Sequence, residues 1–317
     1  MTRAAEPPAV EERPAGAAVR RGGRPALWWR AARPYSLTAS VTPVLLGTAA
    51  AARDGHFTAL IFLAALGGAA AIQAGTNMTN DYYDYVRGVD TGESIGPGGL
   101  IQHGLLSPRA VLAGGLALFA TGSAFGLWLA AVAGWPVLAA GVLSVLAGYA
   151  YTGGPLPLGY VGLGDLVVFV FMGPVIVLGA YFVQARGLGP TAWWLSLPMA
   201  ALVTAVLVVN NLRDIDGDRR SGKRTMATLI GPRATRAEYT LLVVLTYAAI
   251  IAGVAVGASP PLCLAALLTA PAAVSLCRRL ARDSDPVALS LALRGTAQLH
   301  QRTGVLLAAA LLLSRRP

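Results

Sequence analysis

Apolar stretches of bilayer length recur along almost the whole chain. A helix needs about 20 apolar residues to cross the hydrocarbon core. Runs near this length fall at 36–52, 58–80, 108–132, 135–150, 163–183, 192–211, 237–257, 260–280 and 298–314. Charged residues make up 13% of the chain, about half the share in soluble domains. The pattern predicts an all-α, polytopic membrane protein of about nine transmembrane helices. The ninth run is the most polar, with Gln298, His300, Gln301 and Arg302 in its first turns. Residues 1–26, rich in Ala, Pro and Arg, read as a disordered cytoplasmic tail, and 27–317 as the membrane domain.

Charge then sets the orientation. With nine spans and the N-terminus inside, only Arg53, Arg186, Arg315 and Arg316 of the 25 basic residues fall outside. This is the positive-inside distribution of a multi-pass protein of a cell (inner) membrane. The net charge of +10 is therefore a topology signal plus attraction to anionic membrane lipid. It requires no nucleic acid. Cys263 and Cys277 have no metal-ligand spacing and read as packing residues.

Two acidic clusters interrupt this apolar pattern. Asn77-Met78-Thr79-Asn80-Asp81-Tyr82-Tyr83-Asp84 closes the second run, and Asn210-Asn211-Leu212-Arg213-Asp214-Ile215-Asp216-Gly217-Asp218 closes the sixth. Four spans apart, both fall on the cytoplasmic side. A helix–Asn–carboxylate–loop repeat would place them face to face over a central cavity. Asp81 and Asp84 are three apart, and Asp214 and Asp218 four, so each pair shares a helix face. Asn77 and Asn80 precede the first pair at the same periodicity. Carboxylates at a membrane boundary are costly without a partner. Magnesium takes oxygen ligands, commonly one or two carboxylates together with substrate phosphate. Two Asp pairs thus suit two Mg2+ ions sharing one diphosphate.

Basic residues crowd the second cluster. Lys223 and Arg224, beside Gly222, fit phosphate binding, as do Arg213 and Asn80 within the clusters. Arg233 and Arg236 read as topology determinants. Asp90 and Glu93 are candidate outer metal contacts, and Gly96, Gly98 and Gly99 a candidate cover for the site. Asp165 reads equally as a helix cap or a helper of the site. Gln73 and Asn77 are either acceptor contacts or amides bonding across helices. His56, His103 and His300 form no metal set.

Together these residues resemble the UbiA-type intramembrane aromatic prenyltransferases. The resemblance is carried by Arg33-Pro34-Tyr35-Ser36, Asn80-Asp81-Tyr82-Tyr83-Asp84, Gly96-Pro97-Gly98-Gly99-Leu100-Ile101-Gln102, Tyr151-Thr152-Gly153-Gly154-Pro155-Leu156-Pro157-Leu158-Gly159-Tyr160 and Asn210-Asn211-Leu212-Arg213-Asp214 followed by Gly222-Lys223-Arg224-Thr225. It covers nearly the whole chain after the tail, and its nearest branch acts on 1,4-dihydroxy-2-naphthoate in menaquinone synthesis. It implies nine helices around a central cavity and Mg2+-dependent transfer from a polyprenyl diphosphate to an aromatic quinone precursor. Asp81, Asp84, Asp214 and Asp218 would be the catalytic metal ligands. Asn80, Arg213, Lys223 and Arg224 would lie near diphosphate, and Arg33, Gln73, Asn77 and Tyr149 near the acceptor. Relatives acting on 4-hydroxybenzoate carry a Lys after the Tyr-containing fourth loop. Here the loop around Tyr149 and Tyr151 has no Lys or Arg, which argues against that branch. The rival classes are a CDP-alcohol phosphotransferase, whose Ala-Arg and distal aspartates are missing, and a secondary transporter, which needs no cations beside its aspartates.

Overall fold

The computed structural model describes residues 23–89 and 99–314. Most of the proposed tail, Asp90, Glu93, Gly96 and Gly98 lie outside them. Among the described residues the protein is a helical bundle with no strands. Short helix α1 (Arg24–Ala31) leads through a 3-10 turn at Pro34–Leu37 into α2 (Thr38–Arg53). The long helices α3 (Ala59–Val86) and α4 (Pro108–Ala133) follow, then α5 (Trp135–Ala150). The next span is composite: α6 (Gly164–Val170), a π-helical segment at Phe171–Val175 and α7 (Ile176–Ala185). Helix α8 (Pro190–Arg213) and the short α9 (Ile215–Arg220) precede α10 (Met226–Ala255). A 3-10 segment at Pro261–Thr269 continues into α11 (Ala270–Arg282), and α12 (Pro286–Leu313) closes the bundle.

Seven of these units are long and apolar enough to cross a membrane. Helix α5, with 16 residues, is shorter, and α12 is long enough but interrupted by Arg294, His300 and Arg302. Together they account for the nine expected segments, with different ends. The α1 helix begins at Arg24, inside the segment read as tail. Helix α3 runs past Asn80 to Val86, so the whole first acidic cluster is helical. Helix α10 begins eleven residues early, at Met226, because the Thr225 side chain accepts the Thr228 amide as an N-cap. Gly231, at φ 81°, then kinks it. Helix α12 begins at Pro286, not 298, with Asp285 as N-cap and proline at the first position.

The packing centres on α8, which is apolar around its circumference and accordingly buried. Leu195, Met199, Leu202 and Val209 join Leu46 of α2, Tyr239 of α10 and Leu307 of α12 in the main core. Small residues allow close approach: a Cβ on Gly47 of α2 would lie 2.9 Å from the Ala180 Cβ of α7, with the Val177 carbonyl nearer still. Helix α5 is the opposite of α8, since none of its residues is fully buried. Arg236, read from sequence as a topology charge, holds the C-terminus of α11. It donates to the carbonyls of Leu280 and Asp283 at 2.6 and 3.1 Å and to Ser284 Oγ at 2.9 Å.

Candidate active site

The helices enclose a cavity of about 1620 Å3. Both acidic clusters reach it. Asn77, Asn80 and Asp84 line it from α3, Asn210 and Arg213 from the end of α8, and Asp214, Asp218 and Lys223 from α9 and the residues flanking it. Asn80 and Asp84 are one helical turn apart, so a single face of α3 delivers both. Asp81 lies off that face. It is buried, is not among the lining residues, and takes the guanidinium of Arg33. Arg33 sits between α1 and the 3-10 turn with left-handed backbone, φ 53°. The shared face expected for Asp81 and Asp84 is thus divided by a partner from another part of the chain.

The second cluster is tied by its own cations. Arg213 grips both oxygens of Asp214, at 2.7 and 2.6 Å, and donates to Asn210 at 3.0 Å. Lys223 Nζ is 3.7 Å from Asp218. Arg224 is exposed and is not among the residues lining the cavity. Its backbone amide instead bonds the Tyr160 carbonyl at 3.2 Å. Asp165 caps nothing. It accepts from Asn211 at 3.4 Å, linking α6 to α8. Gln73 lines the cavity and donates to Asn77 at 3.3 Å, and Asn77 donates to Ser36 and the Ala32 carbonyl. Tyr149 pairs with Tyr83 through their hydroxyls at 2.6 Å and does not line the cavity.

Tyr160, which had no assigned role, joins the two clusters. Its hydroxyl donates to Asp84, while Lys223 Nζ, beside Asp218, lies 4.9 Å from its ring centroid. Arg87 stacks on the same ring at 4.9 Å and donates to the carbonyls of Thr152 and Gly154. Thr152 in turn donates to Asn80. The loop between α5 and α6 is therefore strapped across the carboxylates by α3 on one side and Lys223 on the other. Sequence reasoning missed both: Arg87 lies three residues beyond Asp84, just past the end of α3, and Tyr160 closes the α5–α6 loop motif. Burial, reinforced by the charge and hydrogen bond of Asp84, raises the Tyr160 phenol, so it stays protonated and donates. The Tyr151 phenol is also raised, by burial first and then by the charges of Asp165, Asp84 and Asp218. Carboxylates from both clusters are thus felt at one phenol.

The oxygen set Asn80, Asp84, Asp214 and Asp218 suits a hard divalent cation. Among the described residues no three carboxylate, His or Cys side chains form a preassembled ion cage. A metal here would need further oxygen ligands, such as phosphate or water.

The family model described as UbiA prenyltransferase family matches residues 40–312. The chain belongs to this prenyltransferase family. The 1,4-dihydroxy-2-naphthoate octaprenyltransferase of Bacillus subtilis is 35% identical over 287 residues, 90% of this chain and 92% of its own. The enzyme of the same name from Mycobacterium tuberculosis is 39% identical over 257 residues, 78% of this chain and 84% of its own. The solved UbiA homolog from Aeropyrum pernix K1 has the same fold, with a TM-score of 0.66 at 16% identity over 86% of this chain and 97% of its own. A UbiA homolog from Archaeoglobus fulgidus, solved with GPP and Mg2+, gives 0.63 at 16% identity over 89% of this chain and 99% of its own. Membership sets aside the phosphotransferase and transporter readings, and the apolar helices make this UbiA protein multi-pass.

Proposed function

We propose that this prenyltransferase transfers a polyprenyl group from its diphosphate to 1,4-dihydroxy-2-naphthoate, with decarboxylation, to give a demethylmenaquinone precursor. The observation that carries the reading is the convergence of both acidic clusters on one cavity beneath the Tyr160 strap. The full-length naphthoate relatives narrow the acceptor, and the loop at Tyr149–Tyr160 lacks a basic residue. We assign the catalytic domain to residues 27–317.

Asn80, Asp84, Asp214 and Asp218 would hold Mg2+, which supplies positive charge to stabilise the departing diphosphate. Lys223 adds a compact cation at the same end. Arg213 fixes both oxygens of Asp214, and Tyr160 orients Asp84. As the prenyl C–O bond breaks, its electrons leave with diphosphate. The electron-rich ring forms the new C–C bond at the carboxylated carbon. Loss of CO2 returns its bonding pair to the ring. No side-chain nucleophile is needed. Apolar walls, including Phe171, Met172, Leu178 and Val203, shield the cation-like carbon from water.

Protein in membranes, given Mg2+, a panel of prenyl diphosphates and both acceptors, is expected to prenylate 1,4-dihydroxy-2-naphthoate, with the product mass showing loss of CO2. EDTA should stop it. Product from 4-hydroxybenzoate alone, or full activity in EDTA, contradicts this reading.

The orientation we propose places the carboxylates at the cytoplasmic face of the cell membrane, supported by the charge bias. A single cysteine at Ser221, in a variant lacking Cys263 and Cys277, should react with an impermeant thiol reagent in inverted vesicles and not in intact cells. Labelling in intact cells reverses the assignment.

A further inference from the structure

We propose that α12 carries the acceptor subsite, with Arg294 taking the aromatic carboxylate and His300 the ring hydroxyl farther from it. The inference rests on the acceptor reading above and adds residues that sequence reasoning had left unused.

Helix α12 turns one face to the cavity. Pro286, Ser290, Arg294, Ala297 and His300 line it, at the three- and four-residue intervals of a single helix face. His300 is 1% exposed. Its Nε2 has no hydrogen-bond partner among the described residues. A buried polar atom normally has one, and His300 is among the residues that border the cavity. Arg294 is exposed on this face and makes no ion pair among the described residues. Arg33, Arg213 and Lys223, which also line the cavity, each stand beside a carboxylate; Arg220, the other lining cation, lies on α9 beside the second acidic cluster.

The depth of these groups fits a ring held below the diphosphate end. A Cβ on Gly304 would lie 3.1 Å from Met199 Sδ, so α12 meets α8 at that level. Helix α12 enters from the end at which α8 leaves. At a rise of about 1.5 Å per residue, His300 lies about 9 Å deeper than Arg294 along the helix. The reacting carbon would lie between them, nearer the carboxylates that flank the leaving group. Guanidinium and carboxylate match bidentately. A phenolic hydroxyl both donates and accepts, so it satisfies His300 Nε2 in either tautomer.

The test compares 1,4-dihydroxy-2-naphthoate with 1-hydroxy-2-naphthoate, which lacks the distal hydroxyl. The wild-type enzyme is expected to favour the diol by about tenfold in kcat/KM. His300→Leu should erase that preference, while His300→Gln, which keeps a polar atom near the same place, should retain most of it. Arg294→Gln should raise acceptor KM by about tenfold or more, with Arg294→Lys intermediate. The prenyl-diphosphate KM should stay unchanged throughout. Loss of all activity in His300→Leu shifts the decision to His300→Gln and Arg294→Gln. An intact preference and acceptor KM in the variants overturns the subsite, as does a donor KM that rises in step with acceptor KM. The wild-type reaction separates the two levels: if neither naphthoate is prenylated, the functional reading fails and takes the subsite with it.

Discussion

Asp84→Ala and Asp218→Ala are each expected to lower kcat/KM by at least about 10²–10³-fold, the scale of losing one preorganised charge-stabilising group, and to raise the Mg2+ concentration needed for half-maximal rate. Both carboxylates line the cavity, and each touches the Tyr160–Lys223 bridge. Asp81 is expected to behave differently. Its carboxylate is committed to Arg33, so Asp81→Ala takes the counter-charge away from a largely buried guanidinium, a defect of about 3–5 kcal/mol in comparable buried pairs. The loss should appear as a lower Tm. Asp81→Asn, which keeps an acceptor for Arg33, should recover most activity. Measuring Tm beside rate decides it: if Asp81→Asn is as inactive as Asp84→Ala at unchanged Tm, Asp81 belongs with the metal ligands.

Lys223 and Arg224 are adjacent in sequence yet should separate cleanly. Lys223→Ala is expected to reduce kcat/KM for the prenyl diphosphate by about 10–100-fold, from about 1.5–3 kcal/mol for a charged hydrogen bond, with acceptor KM unchanged. Arg224→Ala should cost less than about threefold. Its side chain is exposed and does not line the cavity, and the amide that bonds Tyr160 survives the substitution. Steady-state kinetics with each substrate varied in turn checks this. Equal losses in the two variants, or an effect of Lys223→Ala confined to acceptor KM, would remove Lys223 from the diphosphate.

The helical units were legible in the sequence because bilayer length imposes a minimum run of apolar residues. Their ends were less so. In α12, Arg294 and His300 mask a span whose start was nevertheless marked by Asp285 and Pro286; both polar residues line the cavity, an inward face that hydropathy cannot distinguish from a loop. In α3, spacing identified the acidic residues but not which of them meets the cavity. That choice depends on Arg33, 48 residues away. For Lys223 and Arg224, composition gave two equivalent cations, and the turn at Gly222 made them unequal. Tyr160 carried no signal of its own, since its position comes from the way α3, the α5–α6 loop and the segment around Lys223 meet.

Helix α5 draws out a different property. One face of it borders the cavity through Val137, Ala140, Ser144 and Ala147, and Leu138, Val142, Leu143 and Leu146 are exposed elsewhere on it. None of its own residues is fully buried by the rest of the chain. A helix in that position draws part of its surroundings from whatever occupies the space on either side. Any molecule that binds only the assembled form shifts the folding equilibrium towards it by mass action. Under the proposed function the prenyl chain and the bilayer would be such molecules, and the protein's thermodynamic stability is expected to rise with its substrate supply.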